Sequence, residues 1–202
     1  MGRIDNIKEL NANNILVFDD FMTPAECNTI LFELDGNLFQ HSRVVSHTAE
    51  NAYSEFYSDC RSSTTMFEYL FPMGVKQVVN EVQQKIVHKI GSDERKLEEW
   101  QITRYGYADK FEPHIDGGFL ENAPGGERDK TIILYLMSPT KGGETYFRAL
   151  HLYVRPIQGR LVVWDNLLPN GDCNHAMLHA GLPVKKGIKV ILNTWIRQFP
   201  LK

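Results

Sequence analysis

The sequence lacks an apolar run long enough to cross a bilayer, and its first residues lack the apolar segment of a secretory signal peptide. It contains only three cysteines, Cys27, Cys60 and Cys173, and this odd, widely spaced set favours reduced thiols over a disulfide framework. An excess of positive charge is also absent, since the formal net charge is -3. We therefore expect a cytoplasmic or otherwise non-secreted protein with no membrane partner and no nucleic-acid partner.

Internal repeats, low-complexity tracts and linkers are absent as well. The chain has 202 residues, of which 43% are hydrophobic, and this is enough for one domain with a sizeable core. We predict a single domain over residues 1–202. Residues 1–95 would form a supporting region of helices and strands, and residues 96–202 would form a strand-rich core that carries the candidate site described below.

The supporting region contains signals for two helices. Residues 1–14 are polar and predict a loosely tied arm. Thr23 is a good N-cap, with Pro24 at the first helical position and Glu26 at the third, so a helix should begin there. Valine and isoleucine recur at helical spacing over residues 73–90 and predict a second helix. We expect both helices to pack on the outside of a sheet.

Residues 47–59 are polar with interspersed aromatic side chains, and they predict a long loop. Long loops in small domains are often functional. Tyr53, Phe56 and Tyr57 suggest that this loop closes over a bound substrate as a lid.

From Leu97 onward, short strands alternate with turn residues. The strongest strand runs from Lys130 to Met137 and places Thr131, Ile133 and Tyr135 on one face. Helices followed by many short strands predict an α+β protein, a β-sandwich or jelly roll with helices on one side.

One histidine and one carboxylate stand two residues apart at His114 and Asp116. On an extended strand they project from the same face, because side chains alternate with period two. Such a pair can supply two of the three ligands of a non-haem iron(II) site, and a distant histidine would supply the third. Alone the pair is a weak signal, because it occurs often by chance.

A β-rich run from Ile188 to Phe199 lies near the C-terminus, after His179. Lys189, Asn193 and Trp195 fall on one face of this run, together with Arg197. If this face is buried, the lysine requires an anionic partner, such as a small dicarboxylate ligand. The alternative is a solvated face on an edge strand.

The set His114, Asp116, His179 and Lys189 resembles that of the prolyl 4-hydroxylase family of iron(II)- and 2-oxoglutarate-dependent dioxygenases. Further segments resemble the family's motifs in order along nearly the whole chain: Phe21–Cys27, Ser42–Val45, Arg61–Ser63, Gln101–Tyr107, Gly142–Thr145 and His179–Val184. One departure is that Gly106 directly follows Tyr105 instead of lying three residues further on.

The resemblance implies a double-stranded β-helix whose open mouth holds the metal, with the N-terminal helices packed outside the major sheet. It implies Fe(II), 2-oxoglutarate as co-substrate, O2 and ascorbate as the cofactors. His114, Asp116 and His179 would be the iron ligands. An aspartate at position 116, where related halogenases have a small residue, favours hydroxylation over halogenation.

The resemblance also implies a co-substrate pocket. Lys189 would pair with the distal carboxylate of 2-oxoglutarate, Tyr105 and Thr145 would donate hydroxyl groups, and Trp195 would form a wall. Tyr135 could also point inward. For Tyr105, Thr145, Trp195 and Tyr135, plain core packing is nearly as good an interpretation.

Two arginines are candidates for binding the substrate. Arg128 lies where the family has an arginine near the substrate, and Arg197 lies where relatives that bind peptidyl proline often have a histidine. Together they could clamp a carboxylate, for example on a free amino acid. The alternative is a pair of surface arginines.

The expected reaction is hydroxylation of a C–H bond, of a prolyl residue in a peptide or protein, with release of succinate and CO2. One alternative is that a free amino acid or another small molecule is the substrate. A second belongs to a different class: a non-catalytic, metal-binding jelly roll that senses a ligand and binds iron without forming succinate.

Overall fold

The computed structural model describes residues 3–47 and 53–201. Within these ranges the chain forms three α-helices: α1 (Ile7–Ala12), α2 (Pro24–Glu33) and α3 (Met73–Ile90). The strands of the same ranges are β1 (Arg3–Ile4), β2 (Ile15–Phe18), β3 (Gln40–His41), β4 (Val44–His47), β5 (Tyr53–Phe56), β6 (Thr64–Phe67), β7 (Gln101–Tyr105), β8 (Phe111–His114), β9 (Arg128–Met137), β10 (Lys141–Gly142), β11 (Thr145–Phe147), β12 (Leu152–Val154), β13 (Leu161–Asp165), β14 (His179–Gly181), β15 (Val184–Lys186) and β16 (Lys189–Arg197).

Two sheets dominate the architecture. The larger has the strand order β2-β13-β9-β16-β7-β6-β3, and the smaller has the order β1-β12-β11-β14-β8. Two short ribbons, β10 with β15 and β4 with β5, complete the pairing among the described residues. Apart from β1 with β12, the paired strands run antiparallel. The arrangement is an α+β fold, as the order of elements along the sequence predicts.

The central strands β9 and β16 separate two hydrophobic cores. On β16, Val190, Leu192 and Ile196 belong to one core, whereas Ile191 belongs to the other. On β9 the two faces separate in the same way: Ile132, Leu134 and Leu136 join the first core, and Tyr135 joins the second. The predicted alternation is therefore confirmed up to Leu136 on β9. Met137, which by the same alternation should share the face of Tyr135, packs against the first core, next to a register shift between β9 and β16.

The first core also contains side chains of the helices. Ile30 of α2 and Val79 of α3 are buried in the same cluster as Ile132 of β9. Helix α2 begins with a complete capping box between Thr23 and Glu26, and Pro24 is its first residue. This core lies on the side of the larger sheet that faces away from the second core, so α2 and α3 do not enter the region between the sheets.

Residues 3–14 are anchored to the rest of the protein, so the prediction of a loose arm is wrong for this part. Asn6 caps α1, and Leu10 of that helix is fully buried in the second core. Asp5 forms ion pairs with Arg155 and Arg160. The sequence does not predict these contacts, because the segment is polar and its one buried leucine lies in a helix of only six residues, too short to show an apolar repeat.

The predicted long loop over residues 47–59 is partly a β-hairpin. Tyr53–Phe56 pairs antiparallel with Val44–His47, consistent with the strand preference of aromatic residues. Residues 48–52 of the predicted loop lie outside the described residues. Among the helices of the described ranges, none combines the length and apolar character needed to span a bilayer.

Candidate active site

The candidate site is a cavity between the two sheets. An open cleft adjoins the cavity and shares Arg61, Phe111, His114, Asp116 and Trp195 with its wall. The other lining residues of the inner cavity are Tyr105, Thr131, Ile133, Tyr135, Thr145, His179, Gly181, Lys189, Ile191 and Asn193. The face of β16 that carries Lys189, Asn193 and Trp195 is thus buried against a cavity and is not a solvated edge.

The three predicted metal ligands meet at this cavity. His114 at the end of β8 is the direct cross-strand partner of His179 at the start of β14, and Asp116 follows two residues after His114. The Nε2 atom of His114 lies 3.7 Å from Oδ1 of Asp116, and that of His179 lies 3.6 Å from Oδ2. Ligand atoms of all three residues lie within 4.8 Å of one another. A single cation can therefore bind all three side chains.

Backbone carbonyl groups fix the orientation of both imidazole rings. Nδ1 of His114 lies 2.9 Å from the carbonyl oxygen of Glu112, and Nδ1 of His179 lies 2.9 Å from that of Met177. A carbonyl oxygen only accepts, so each Nδ1 must carry the proton and donate it. Nε2, the nitrogen that faces Asp116, is then the atom of each ring that is available to bind a metal.

The protonation states also suit a metal ion. Burial and the neighbouring His179 lower the pKa of His114 to about 3. Burial raises the pKa of Asp116, but His179, His114, Arg128 and the hydroxyl of Thr131 more than offset this and hold it at about 2. At neutral pH the site therefore presents a neutral imidazole and a carboxylate anion, the forms in which these groups bind metal.

Asp116 is held by a short hydrogen-bond chain. The hydroxyl of Thr131 donates to Oδ2 of Asp116 at 2.6 Å and accepts a hydrogen bond from Nδ2 of Asn166 at 2.8 Å. Two imidazoles and one carboxylate on one side of a cavity form the facial set typical of non-haem iron(II). The residues present therefore fit Fe(II), with the cavity side left open for other ligands.

Lys189 lies deep in the cavity and is 2% exposed. Its Nζ lies 4.0 Å from the centroid of the Tyr105 ring and donates to the carbonyl oxygen of Gly143 at 3.1 Å. Burial lowers the pKa of Lys189 to about 7, with a smaller opposing effect of Glu144 and a reinforcing one of Arg61. Among the described residues, no carboxylate lies within ion-pair distance of this lysine. An anionic ligand would supply the missing partner.

The remaining predicted co-substrate residues surround the same cavity. The hydroxyl groups of Tyr135 and Thr145 are hydrogen-bonded to each other at 2.7 Å. Trp195 is 8% exposed, and its Nε1 has no hydrogen-bond partner among the described residues. These side chains are buried, as plain core packing would also require, but each of them faces the cavity.

The two candidate substrate arginines are engaged inside the protein. Arg128 donates two hydrogen bonds to Glu98, at 2.8 and 2.7 Å, and its guanidinium lies 3.6 Å from the Trp195 ring centroid. Arg197 contacts Glu98 at 3.3 Å and donates to the carbonyl oxygen of Gly126 at 2.8 Å. Of these two arginines, Arg128 lines the open cleft and Arg197 does not. Both arginines bind one carboxylate, as predicted, but it is the side chain of Glu98 and not a ligand. The geometry gives no support for direct contact between Arg197 and a substrate.

Two wall residues were not predicted. The Phe111 ring stacks on His114 with centroids 3.6 Å apart, and the guanidinium of Arg61 lies 4.7 Å from the Phe111 ring centroid. Regular alternation puts residues 111 and 114 on opposite faces. An irregularity between β8 and β14, where the four residues 111–114 lie opposite the three residues 179–181, brings them together. The Arg61–Ser63 motif was the available signal for Arg61.

Comparisons with known proteins agree with this geometry. Residues 100–197 match the model of the 2OG-Fe(II) oxygenase superfamily. The chain is 32% identical over 205 residues to prolyl 4-hydroxylase subunit alpha-1 of Gallus gallus, covering 98% of this chain and 38% of that protein. It is 29% identical over 214 residues to prolyl 4-hydroxylase 2 of Arabidopsis thaliana, covering 94% of this chain and 69% of that protein.

A solved structure shows the same fold. The viral collagen prolyl hydroxylase of Paramecium Bursaria Chlorella virus-1, in its 2OG complex, aligns with a TM-score of 0.71 and 26% sequence identity. The alignment covers 93% of this chain and 97% of that one. The fold is the double-stranded β-helix of these oxygenases.

Over residues 100–197 the chain belongs to the 2OG-Fe(II) oxygenase superfamily, and over nearly its whole length it is similar to prolyl 4-hydroxylases. It spans 38% of the length of the chicken subunit.

Proposed function

We propose that this chain is a dioxygenase that uses Fe(II), 2-oxoglutarate and O2 to hydroxylate a prolyl residue of a peptide or protein, releasing succinate and CO2. The observation that carries the proposal is the convergence of His114, Asp116 and His179, with both Nδ1 atoms tied to carbonyl groups, beside a buried Lys189 that has no carboxylate partner among the described residues. The named relatives, all prolyl hydroxylases, support it.

Bound Fe(II), together with 2-oxoglutarate and O2, would supply the oxidising chemistry, and the protein positions the reactants and excludes water. His114, Asp116 and His179 would hold the metal. Lys189 lies across the cavity and would bind the distal carboxylate of 2-oxoglutarate, because burial makes a fixed anion the favourable partner of its ammonium group.

Hydroxyl groups and an indole complete the proposed co-substrate pocket. Tyr105 and Thr145 would donate to 2-oxoglutarate, and the Tyr135 hydroxyl keeps the Thr145 hydroxyl in place through their 2.7 Å hydrogen bond. Trp195 would form the wall between the inner cavity and the open cleft, since it lines both.

The open cleft is the proposed substrate site. It contains Phe56, Phe111 and Trp195 as aromatic surfaces for a proline ring. Arg128 and Arg197 already share the carboxylate of Glu98. A free amino acid would have to displace Glu98 to use them, so the geometry favours a peptide over the small-molecule alternative.

The decisive experiment adds Fe(II) and 2-oxoglutarate to the protein without O2 and records the visible spectrum. We expect a weak charge-transfer band that is absent in Asp116→Ala and weaker in Lys189→Ala. O2 is then admitted with either a proline-rich peptide or free amino acids, and succinate and hydroxylated product are measured by mass spectrometry. A band without O2-dependent succinate would support a non-catalytic sensor, and a folded protein without any band would refute the proposal.

A further inference from the structure

A continuous row of buried hydroxyl groups leads to Asn193, a residue that lines the inner cavity. The Oγ atom of Ser42 lies 2.8 Å from Oγ of Ser63 and 2.7 Å from Oγ1 of Thr65. Thr65 continues to Thr103, with 3.2 Å between the Oγ1 atoms. Thr103 donates to Oδ1 of Asn193 at 3.1 Å. The row thus passes from the segment before β4, through β6 and β7, to β16.

A guanidinium group stands at the other end of this row. Nε of Arg61 donates to Oγ of Ser63 at 3.1 Å, and its Nη1 donates to the carbonyl oxygen of Arg43 at 3.1 Å. Arg43 directly precedes β4, the first strand of the hairpin beside the open cleft. The row therefore connects Arg61, which lines both the open cleft and the inner cavity, to Asn193, which lines the inner cavity.

The two ends determine the direction of every hydrogen bond in the row. Arginine can only donate, and the amide oxygen of Asn193 can only accept. Each hydroxyl has one proton, so Ser63 must donate to Ser42, Ser42 to Thr65, and Thr65 to Thr103. Hydrogen bonds aligned in one direction polarise one another, and the row acts as a unit.

The burial of this row is costly, which suggests that it has a role. Ser42, Ser63, Thr65 and Thr103 are at most 2% exposed, and a buried hydroxyl group loses its hydrogen bonds to water. The row determines the orientation of the Asn193 amide group. With Oδ1 held by Thr103, its Nδ2 is the atom left to face the cavity, and it has no hydrogen-bond partner among the described residues.

We propose that Ser42, Ser63, Thr65 and Thr103 are positioning residues that fix the Asn193 amide, so that Nδ2 donates to a carboxylate or carbonyl oxygen of the bound ligand. Asn193 lies on the same face of β16 as Lys189 and Trp195, between the deep end of the cavity and its mouth. The inference rests on the proposed function, because the ligand oxygen belongs either to 2-oxoglutarate or to the peptide substrate.

The first test uses two substitutions at Thr103, which lines neither cavity. Thr103→Val keeps the shape and removes the hydroxyl, whereas Thr103→Ser keeps the hydroxyl. Calorimetric titration of 2-oxoglutarate into Mn(II)-loaded protein, and of a proline-rich peptide into the ternary complex, gives both affinities. We expect Thr103→Val to weaken one of them about tenfold and Thr103→Ser to restore it, because about one hydrogen bond is lost and regained.

The second test asks whether Ser63, at the end of the row opposite Asn193, affects ligand binding through Asn193. Ser63→Ala should weaken the same affinity several-fold in the wild-type chain and have no effect in an Asn193→Ala background. Thr194→Val provides the matched control: its buried hydroxyl donates to the carbonyl oxygen of Glu98, away from the row, so its effect should be equal in both backgrounds. Thermal melting confirms that each variant is folded.

The outcomes separate the two proposals. A wild-type protein that binds neither Mn(II) with 2-oxoglutarate nor peptide refutes the proposed function. A wild-type protein that binds both, while Thr103→Val binds both equally well, refutes the positioning row. Equal factors for Ser63→Ala in the two backgrounds also refute it, because they show that Ser63 acts independently of Asn193.

Discussion

Asp116 faces the metal position through contacts made by residues that would not bind the metal. Its Oδ2 accepts a hydrogen bond from Thr131, which in turn accepts one from Asn166. Such outer contacts orient a carboxylate and restrict its rotation. The precision of the candidate metal site therefore depends on β9 and on the residue that follows β13, as much as on the ligands themselves.

We predict that Thr131→Val lowers the affinity for Fe(II) about 10- to 100-fold, because the carboxylate of Asp116 loses its donor and becomes free to rotate. Anaerobic titration with Fe(II) or Co(II) measures the effect. Thr194→Val is the control, since its hydroxyl is equally buried on the same sheet but does not contact the site. Equal affinities in both variants would show that Asp116 does not need Thr131.

A pH dependence follows from Lys189. Burial shifts its pKa from 10.5 to about 7 in the folded chain, so the unfolded chain binds more protons between these two values. Stability rises with pH wherever the unfolded state binds more protons. We expect the wild-type free energy of unfolding to rise relative to that of Lys189→Met from about pH 7 to 10.5, while Glu144 and Arg61 remain in both proteins.

Urea unfolding of both proteins across this range measures the difference. The difference in unfolding free energy between the two proteins should be largest and constant below pH 7, where Lys189 is charged and buried. It should diminish toward pH 10.5. Saturating 2-oxoglutarate should move the change to higher pH, because an anion stabilises the ammonium form. A difference that stays flat from pH 7 to 10.5 would contradict the shifted pKa.

Sequence reasoning succeeded where a regular strand places side chains and failed where backbone irregularity or burial decides. Period-two alternation placed Lys189, Asn193 and Trp195 on one face, and they do line one cavity. It could not place Phe111 beside His114, because that contact depends on an irregular register between β8 and β14. Nor could it show that the partner of Arg128 is Glu98, a pairing across 30 residues of sequence.

At the scale of elements, the sequence did not predict the short helices and strands that contain few apolar residues. Helix α1 has one buried residue, and the β4–β5 hairpin lies in a polar stretch. Helix α3, in contrast, has its predicted bounds, Met73–Ile90, because its apolar side chains recur at helical spacing over eighteen residues. A long segment with a repeated apolar pattern was therefore predicted correctly, and short segments without such a pattern were not.

Helix α1 should contribute measurably to stability. We predict that Leu10→Ala lowers the free energy of unfolding by about 2–5 kcal/mol, because it leaves a cavity in the core that also contains Trp164. Ile4→Ala is the control: Ile4 is 55% exposed, and its loss should change stability by less than about 0.5 kcal/mol. Chemical unfolding compares the two, and equal stabilities would mean that the first fourteen residues are a loose arm after all.

The β4–β5 hairpin should affect the peptide but not the co-substrate. Phe56 lines the open cleft and not the inner cavity. We predict that Phe56→Ala raises the KM for peptide several-fold and raises the ratio of succinate to hydroxylated product, with the Kd of 2-oxoglutarate unchanged. Phe32→Ala, on an α2 side chain that is 91% exposed, should change none of these. If Phe56→Ala has the same product ratio as wild type, the hairpin does not act as a lid.

At the scale of the whole molecule, the larger sheet separates two tasks. Its outer face joins α2 and α3 in one core, and its inner face joins the smaller sheet around the cavity. Lys189 comes from the larger sheet, whereas His114 and His179 come from the smaller one. The metal and co-substrate positions therefore exist only when the two sheets are packed together, and ligands that bridge them should stabilise the entire fold.

We predict that saturating metal and 2-oxoglutarate each raise the melting temperature. A ligand at about 100 times its Kd adds about 2.7 kcal/mol, which corresponds to about 5–10 °C for a chain of this size. Calorimetry with Mn(II) alone, and then with Mn(II) and 2-oxoglutarate, measures the two steps. Asp116→Ala should lose both increments, and Lys189→Met should keep the metal increment but lose most of the second. A full second increment in Lys189→Met would show that 2-oxoglutarate does not depend on this lysine, and the co-substrate pocket would have to lie elsewhere between the sheets.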